Sequence, residues 1–123
     1  MRLNARATGP GSVERVLERL QPEHVDCWVG GHVRPRPDGC EIRFSSPVSF
    51  AIRVELRTVD GGVLIRLMEG KLKELEGSLL VEPHEDGAAV GASLDVAFPM
   101  PVPGTLMREL EHTWLRWLQR LVS

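Results

Sequence analysis

The chain contains no tyrosine, only three phenylalanines and three tryptophans, and only two cysteines, Cys27 and Cys40. Without tyrosine, no phenolic hydroxyl is available for chemistry or for fixing a ligand. Two thiols do not build a disulfide framework, and a chain of this size buries enough surface to fold without one, so both are read as reduced. Neither sign of charge dominates: 15 basic and 17 acidic residues leave a net charge of -2. A general nucleic-acid binder shows a basic excess, so nucleic acid is not an expected partner. No apolar run approaches the ~20 residues that cross a bilayer, so no transmembrane segment is expected. The opening residues Met1, Arg2, Leu3, Asn4, Ala5 and Arg6 lack the apolar core of a secretory signal, which points to the cytoplasm. There is no glycine-rich phosphate loop, no serine-hydrolase elbow and no paired metal-ligand motif. No cofactor is expected, and a non-enzymatic role is favoured over catalysis.

What is present suits one globular domain spanning residues 1–123, with 42% hydrophobic and 26% charged residues. Leu3, Ala5 and Ala7 alternate with Arg2, Asn4 and Arg6, which predicts a strand over 2–8. Gly9-Pro10-Gly11 breaks it. Ser12 is placed to cap a short amphipathic helix over 12–20, with Val13, Val16, Leu17 and Leu20 on one face. Pro22 then permits a second helical turn at Pro22-Glu23-His24-Val25. Three Asp-Gly pairs follow, Asp38-Gly39, Asp60-Gly61 and Asp86-Gly87, and each is read as a hairpin turn using the positive φ that glycine supplies. Alternating segments lie around them. Cys40, Ile42 and Phe44 form one inward set. Phe50, Ile52, Val54 and Leu56 form a second, and Val63, Ile65 and Leu67 a third. Leu75, Gly77, Leu79 and Val81 make the fourth, and Val90, Ala92, Leu94, Val96 and Phe98 the fifth. Strands joined by tight turns pair antiparallel, with one apolar face and one wet face.

After Pro99, Pro101 and Pro103 the period becomes helical from Thr105. Leu106, Leu110, Trp114, Trp117 and Leu121 fall on one stripe, with Met107 and Leu118 beside it. A helix of roughly 25–30 Å results, the only element long enough to cover the apolar face of the sheet.

The order of elements, together with particular motifs, carries a family resemblance. Glu69-Gly70-Lys71-Leu72-Lys73-Glu74-Leu75-Glu76-Gly77 and then Leu79-Leu80-Val81-Glu82-Pro83 resemble a stretch that runs from the fifth to the sixth strand of START-like proteins. The Asp86-Gly87 turn and Pro101-Val102-Pro103-Gly104 before the long helix agree with it. The sequence therefore resembles the START-like (SRPBCC) superfamily, within it the polyketide cyclase/dehydrase-like group, over about residues 44–123 by motif, and over 1–43 by layout alone. The resemblance implies an α+β helix-grip fold: a curved antiparallel sheet of about seven strands, two short helices near the N-terminus and a long C-terminal helix packed across the sheet. It also implies a cavity between sheet and helix that takes a lipid, polyketide or similar apolar molecule. The chain departs from the family in lacking tyrosine, and in carrying Ile65 and Leu79 where many relatives have tryptophan, which weakens a cyclase reading.

In that cavity the sheet would contribute Phe50, Ile52, Val54, Ile65, Leu67, Leu79, Val81, Leu94 and Val96. The last helix would contribute Leu106, Leu110, Trp114 and Trp117. A buried indole N–H seeks a partner, which favours a pocket at the tryptophans. The competing reading is that the same side chains simply fill the space. Polar candidates are few. Glu69 shares strand parity with Ile65 and Leu67 and would point inward, where burial raises a carboxyl pKa and suits acid–base work. Trp28, His32 and Arg34 share parity on the strand that follows the two short helices and would line the mouth, with Arg34 able to pair a carboxylate or phosphate. Thr113 lies at the edge of the helix stripe. Met100 and Val102, within the proline segment, would form either a lid or a stiff linker. His24, Cys27 and His32 lack the spacing of a zinc site, so no metal is expected. Three functions remain in order: a carrier of a hydrophobic small molecule, a cavity-less interaction module with a protein partner or as a homodimer, and an enzyme using Glu69 or His32.

Overall fold

A computed structural model describes residues 1–45 and 49–123. The elements run β1 (Arg2–Gly9), α1 (Val13–Arg19), a 3-10 helix (Pro22–Cys27), β2 (His32–Arg36), β3 (Gly39–Phe44), β4 (Phe50–Val59), β5 (Gly62–Gly70), β6 (Glu74–His84), β7 (Gly87–Ala97) and α2 (Gly104–Val122). The seven strands form one antiparallel sheet in the order β1-β7-β6-β5-β4-β3-β2. The two short helices carry the chain from one edge strand, β1, to the other, β2. A meander then returns it strand by strand until β7 pairs with β1.

The local causes are those read from the sequence. The Ser12 hydroxyl accepts the Arg15 N–H at 3.2 Å and starts α1, and Pro22 opens the 3-10 helix. The inner face alternates as expected: Val90, Ala92, Leu94 and Val96 are buried, while Gly91 is exposed and Ser93 and Asp95 only half-buried. All three Asp-Gly pairs sit at hairpins, and Gly87, like Gly61, has positive φ (142°), but the pair fills the loop itself at only one of them. Only Asp60-Gly61 occupies a two-residue loop with glycine at positive φ, 76° at Gly61. At the other two the loops are Pro37-Asp38 and Glu85-Asp86, and Gly39 and Gly87 are the first residues of the following strands. Among the described residues no non-glycine residue has positive φ, so the two residues of each of those loops turn with negative φ.

Residues that pack α2 divide along its length. Toward its C-terminal end Leu118, Leu121 and Val122 are fully buried, together with Val16 and Leu20 from the first helix and its end and Val90 from β7. The end itself is tied down. Arg19 Nη1 donates to the oxygens of Arg120, Leu121 and Ser123 at 3.2, 2.9 and 2.7 Å. The Gly11 N–H donates to the Val122 carbonyl at 2.9 Å, and a Cβ on Gly9 would collide with that same carbonyl. A cation and backbone donors there satisfy carbonyls that a helix C-terminus leaves open. Toward its N-terminal end α2 leaves the sheet less completely filled.

Candidate functional site

That unfilled space is a cavity of about 150 Å³ between the sheet and the middle of α2, from Leu110 to Trp117. Ile52 and Val54 from β4, Ile65 from β5, Leu79 from β6, and Leu94 and Val96 from β7 line its sheet side. Leu110, Trp114 and Trp117 line its helix side, and Phe50 and Trp28 complete the expected set. Alternation places the strand residues there, because each shares the inward parity of its strand.

Six expected residues lie elsewhere. Val81 is buried, but in the solid end of the core rather than the cavity wall. Leu67 and Leu106 are half-buried and lie outside the lining. Glu69 is exposed and points away from the cavity. The cause is a β-bulge: Val54 pairs with Leu67 but Arg53 pairs with Glu69, so Met68 is the extra residue and the parity of β5 inverts beyond it. Glu69 thus sits opposite Arg53, between the inward residues Ile52 and Val54 of β4, on the outer face. His32 and Arg34 are exposed on the edge strand β2 and border a shallow groove with Arg43 and Ala51 on the outside of the sheet. Trp28 is not on their strand. It ends the 3-10 helix, which turns its ring under α2 instead.

Other lining residues escaped the sequence reading although their signals were present. Cys40, Ile42 and Phe44 carry the inward parity of β3, and Leu75 and Phe98 extend the inward rows of β6 and β7. Leu72, from the connection before β6, has no period to betray it. Thr113 does line the cavity, but its Oγ1 accepts from Arg116 Nη2 at 3.1 Å. Leu72, Leu75, Phe98 and Leu110 are among the wall residues that are only half-buried. Met100, just beyond Phe98, is 70% exposed.

No charged side chain lines the site among the described residues, but Met1 does, and its ammonium donates to the carbonyl of the wall residue Val96 at 2.7 Å. The site's one ionisable side chain is Cys40, whose thiol is pushed up from 9.0 to about 11 by burial and is therefore a neutral, inert wall group. Aromatic rings from β3, β4, the end of the 3-10 helix and α2 meet in the wall. Phe44 stacks on Phe50 at 4.7 Å and on Trp117 at 5.4 Å, and Trp114 meets the rings of Trp28 and Trp117 at 6.3 and 6.4 Å. The indole N–H of Trp28 donates to the Arg19 carbonyl at 2.9 Å, whereas that of Trp114 is buried with no hydrogen-bond partner. Elsewhere, His84, Glu85 and Asp86 bring three ligating groups together at the β6–β7 turn, where both acids are exposed.

This arrangement of a sheet gripping one long helix recurs in solved structures. A START superfamily protein from Mycobacterium smegmatis superposes with a TM-score of 0.76 at 15% identity, covering 98% of this chain and 93% of that one. The fold is the START-like helix grip. DynU16, from the dynemicin biosynthetic locus, gives 0.68 at 19% identity, over 98% of this chain and 45% of that one. The Aha1 dimer protein from Colwellia psychrerythraea gives 0.66 at 15% identity, over 98% and 92%. Neither a protein-family model nor a curated protein matches the sequence. None of the helices in the described residues is long and apolar enough to cross a membrane.

Proposed function

We propose that this START-like domain binds or carries a hydrophobic small molecule in the cavity between its sheet and α2. The carrying observation is the cavity itself: about 150 Å³ of space walled by aliphatic and aromatic side chains. Interiors normally pack to the density of organic crystals, and an apolar pocket of this size has room for small apolar guests. Filling it returns the dispersion contacts its walls lack. Catalysis is not supported by the same geometry, since Glu69 and His32 lie outside the cavity and Cys40 is held neutral. Native mass spectrometry of gently purified protein, with solvent extraction of whatever is bound, tests this reading. A discrete apolar guest lost on denaturation supports it. Apo protein that takes up nothing from a mixture of lipids and polyketides contradicts it.

A second reading, an association surface, has one observation in its favour. Leu64 and Leu80 are exposed and diagonal to one another on the outer face of β5 and β6, and Met68 follows on β5. Leu80→Glu would leave guest binding unchanged and, on this second reading, convert a dimer seen by light scattering into monomer.

A further inference from the structure

We propose that two copies of this chain join through β1, the two strands pairing antiparallel about a two-fold axis to make one continuous sheet. The register shows which backbone groups are free to do so. The Val96 N–H donates to the Met1 carbonyl at 2.8 Å, and pairing then runs without a shift from Arg2–Asp95 to Gly9–Ala88. Bonded residues alternate along an antiparallel edge, so Leu3, Ala5 and Ala7 bond to β7. The N–H and C=O groups of Arg2, Asn4, Arg6 and Thr8 point off the sheet, and among the described residues none bonds to them. Arg2, Asn4 and Arg6 are exposed. Such a row is a template for another strand, and sheets blunt it with short length, proline, charge or a bulge. The opposite edge is blunted: β2 has five residues, one of them Pro35, and its exposed His32 and Arg34 are in no ion pair among the described residues. By contrast β1 has eight residues, no proline and no bulge. Its two arginines are neutralised on their own sheet, Arg2 by Asp95 at 3.3 Å and Arg6 by Glu82 at 3.1 Å.

The side chains point to a second copy as the occupant. A two-fold centred on Ala5 sets Arg2 against the partner's Thr8 and Asn4 against the partner's Arg6, so all four free residues of each strand enter bonded pairs. Sliding the strands by one bonded pair in either direction sets Arg2 against the partner's Arg6, or Arg6 against its own copy, and like charges directly opposite are destabilising. The strand is therefore complementary to itself in one full-length register. Leu3 and Ala5, only half-buried on the inner row, gain cover from the partner's Ala7 and Ala5. A two-fold contact uses each β1 edge once and closes at the dimer. Pairing at this edge needs no guest in the cavity.

Light scattering over a dilution series, with amide hydrogen exchange followed by NMR at both ends of it, tests the pairing. Concentrated protein is expected to show twice the mass of one chain. The amides of Asn4, Arg6 and Thr8 should lose their fast exchange there, while those of Leu3, Ala5 and Ala7 are protected at both concentrations. Asn4→Pro removes an outward N–H without breaking a bond to β7, so it should give monomer throughout. Asn4→Asp sets a carboxylate against the partner's Arg6 at two symmetric places and should tighten the dimer roughly three- to tenfold, and Asn4→Arg should weaken it by a similar factor. These charge variants test the register on their own should Asn4→Pro fold poorly. Leu80→Glu should leave the dimer intact, which separates this edge from the outer face of β5 and β6. Monomer up to the solubility limit overturns the proposal and leaves the free row to an extended segment of another protein. A dimer that Leu80→Glu dissolves, and that ignores the changes at Asn4, overturns it as well. Neither outcome bears on guest binding.

Discussion

Cys40 shows how far a single side chain reports its surroundings. It sits in the cavity wall, 1% exposed, on the inward row of β3, and burial lifts its thiol from 9.0 to about 11. Cys27, one turn before the chain enters β2, is exposed. A thiol reagent at pH 8 should therefore modify one cysteine of the native protein quickly and the second only on unfolding. A pH dependence follows as well. The folded state holds the Cys40 proton more tightly than the unfolded chain, so its contribution is fully present below pH 9.0 and is lost as pH rises through about 11. The stability advantage of wild type over Cys40→Ala, followed by urea denaturation, should accordingly shrink between those values. Two fast-reacting thiols would show the β3 row turned outward.

At the scale of elements, periodicity was sufficient wherever one face is buried over several residues. Ile52, Val54, Leu94 and Val96 were legible as wall because period-two alternation permits no other placement once the helix covers that face. Glu69 was not, because a bulge is one extra residue that changes parity without leaving a mark in composition. Trp28 was misplaced for a related reason: the helical turn opened by Pro22 persists through Cys27, so Trp28 closes a helix where strand parity was expected. The division of α2 also escaped a simple stripe. Leu118 and Val122 are completely buried, whereas Leu106 is not. Leu118→Ala should cost about 2–5 kcal/mol, the range for a large-to-small change in a filled core. Leu110→Ala should cost less, since it enlarges a space already present. Arg19→Ala removes a cation from three oxygens at the C-terminal end of α2 and should cost about 1–2 kcal/mol. Chemical denaturation of the three variants ranks them. Arg19→Ala equal to wild type would mean that the Gly11 contact alone secures the helix end.

For the molecule as a whole, the solid end and the hollow end have different tasks. Gly9, Gly11, Arg19, Val16, Leu20, Leu118 and Val122 clamp α2 onto β1 and the first helix, which lets the opposite half of α2 stand off the sheet without loss of the fold. The fold was legible in the motifs around Glu69–Pro83 and in the order of elements, but whether the grip was empty was not. Occupancy of space depends on side-chain volumes across seven strands and a helix, and no local pattern adds them up. Ile65 and Leu79 are two of the smaller groups in the wall that leave room. Leu79→Trp should fill the cavity, abolish guest binding and leave the fold's circular dichroism unchanged.

Titrating the labelled protein with toluene, and following its indole N–H signals by NMR, decides whether this space between sheet and helix takes up a guest. A saturable shift at Trp114 and Trp117, absent in Leu79→Trp, with a melting temperature that rises with toluene concentration, is the result the account predicts. Unmoved signals and an unchanged melting temperature up to the solubility limit of toluene would contradict it.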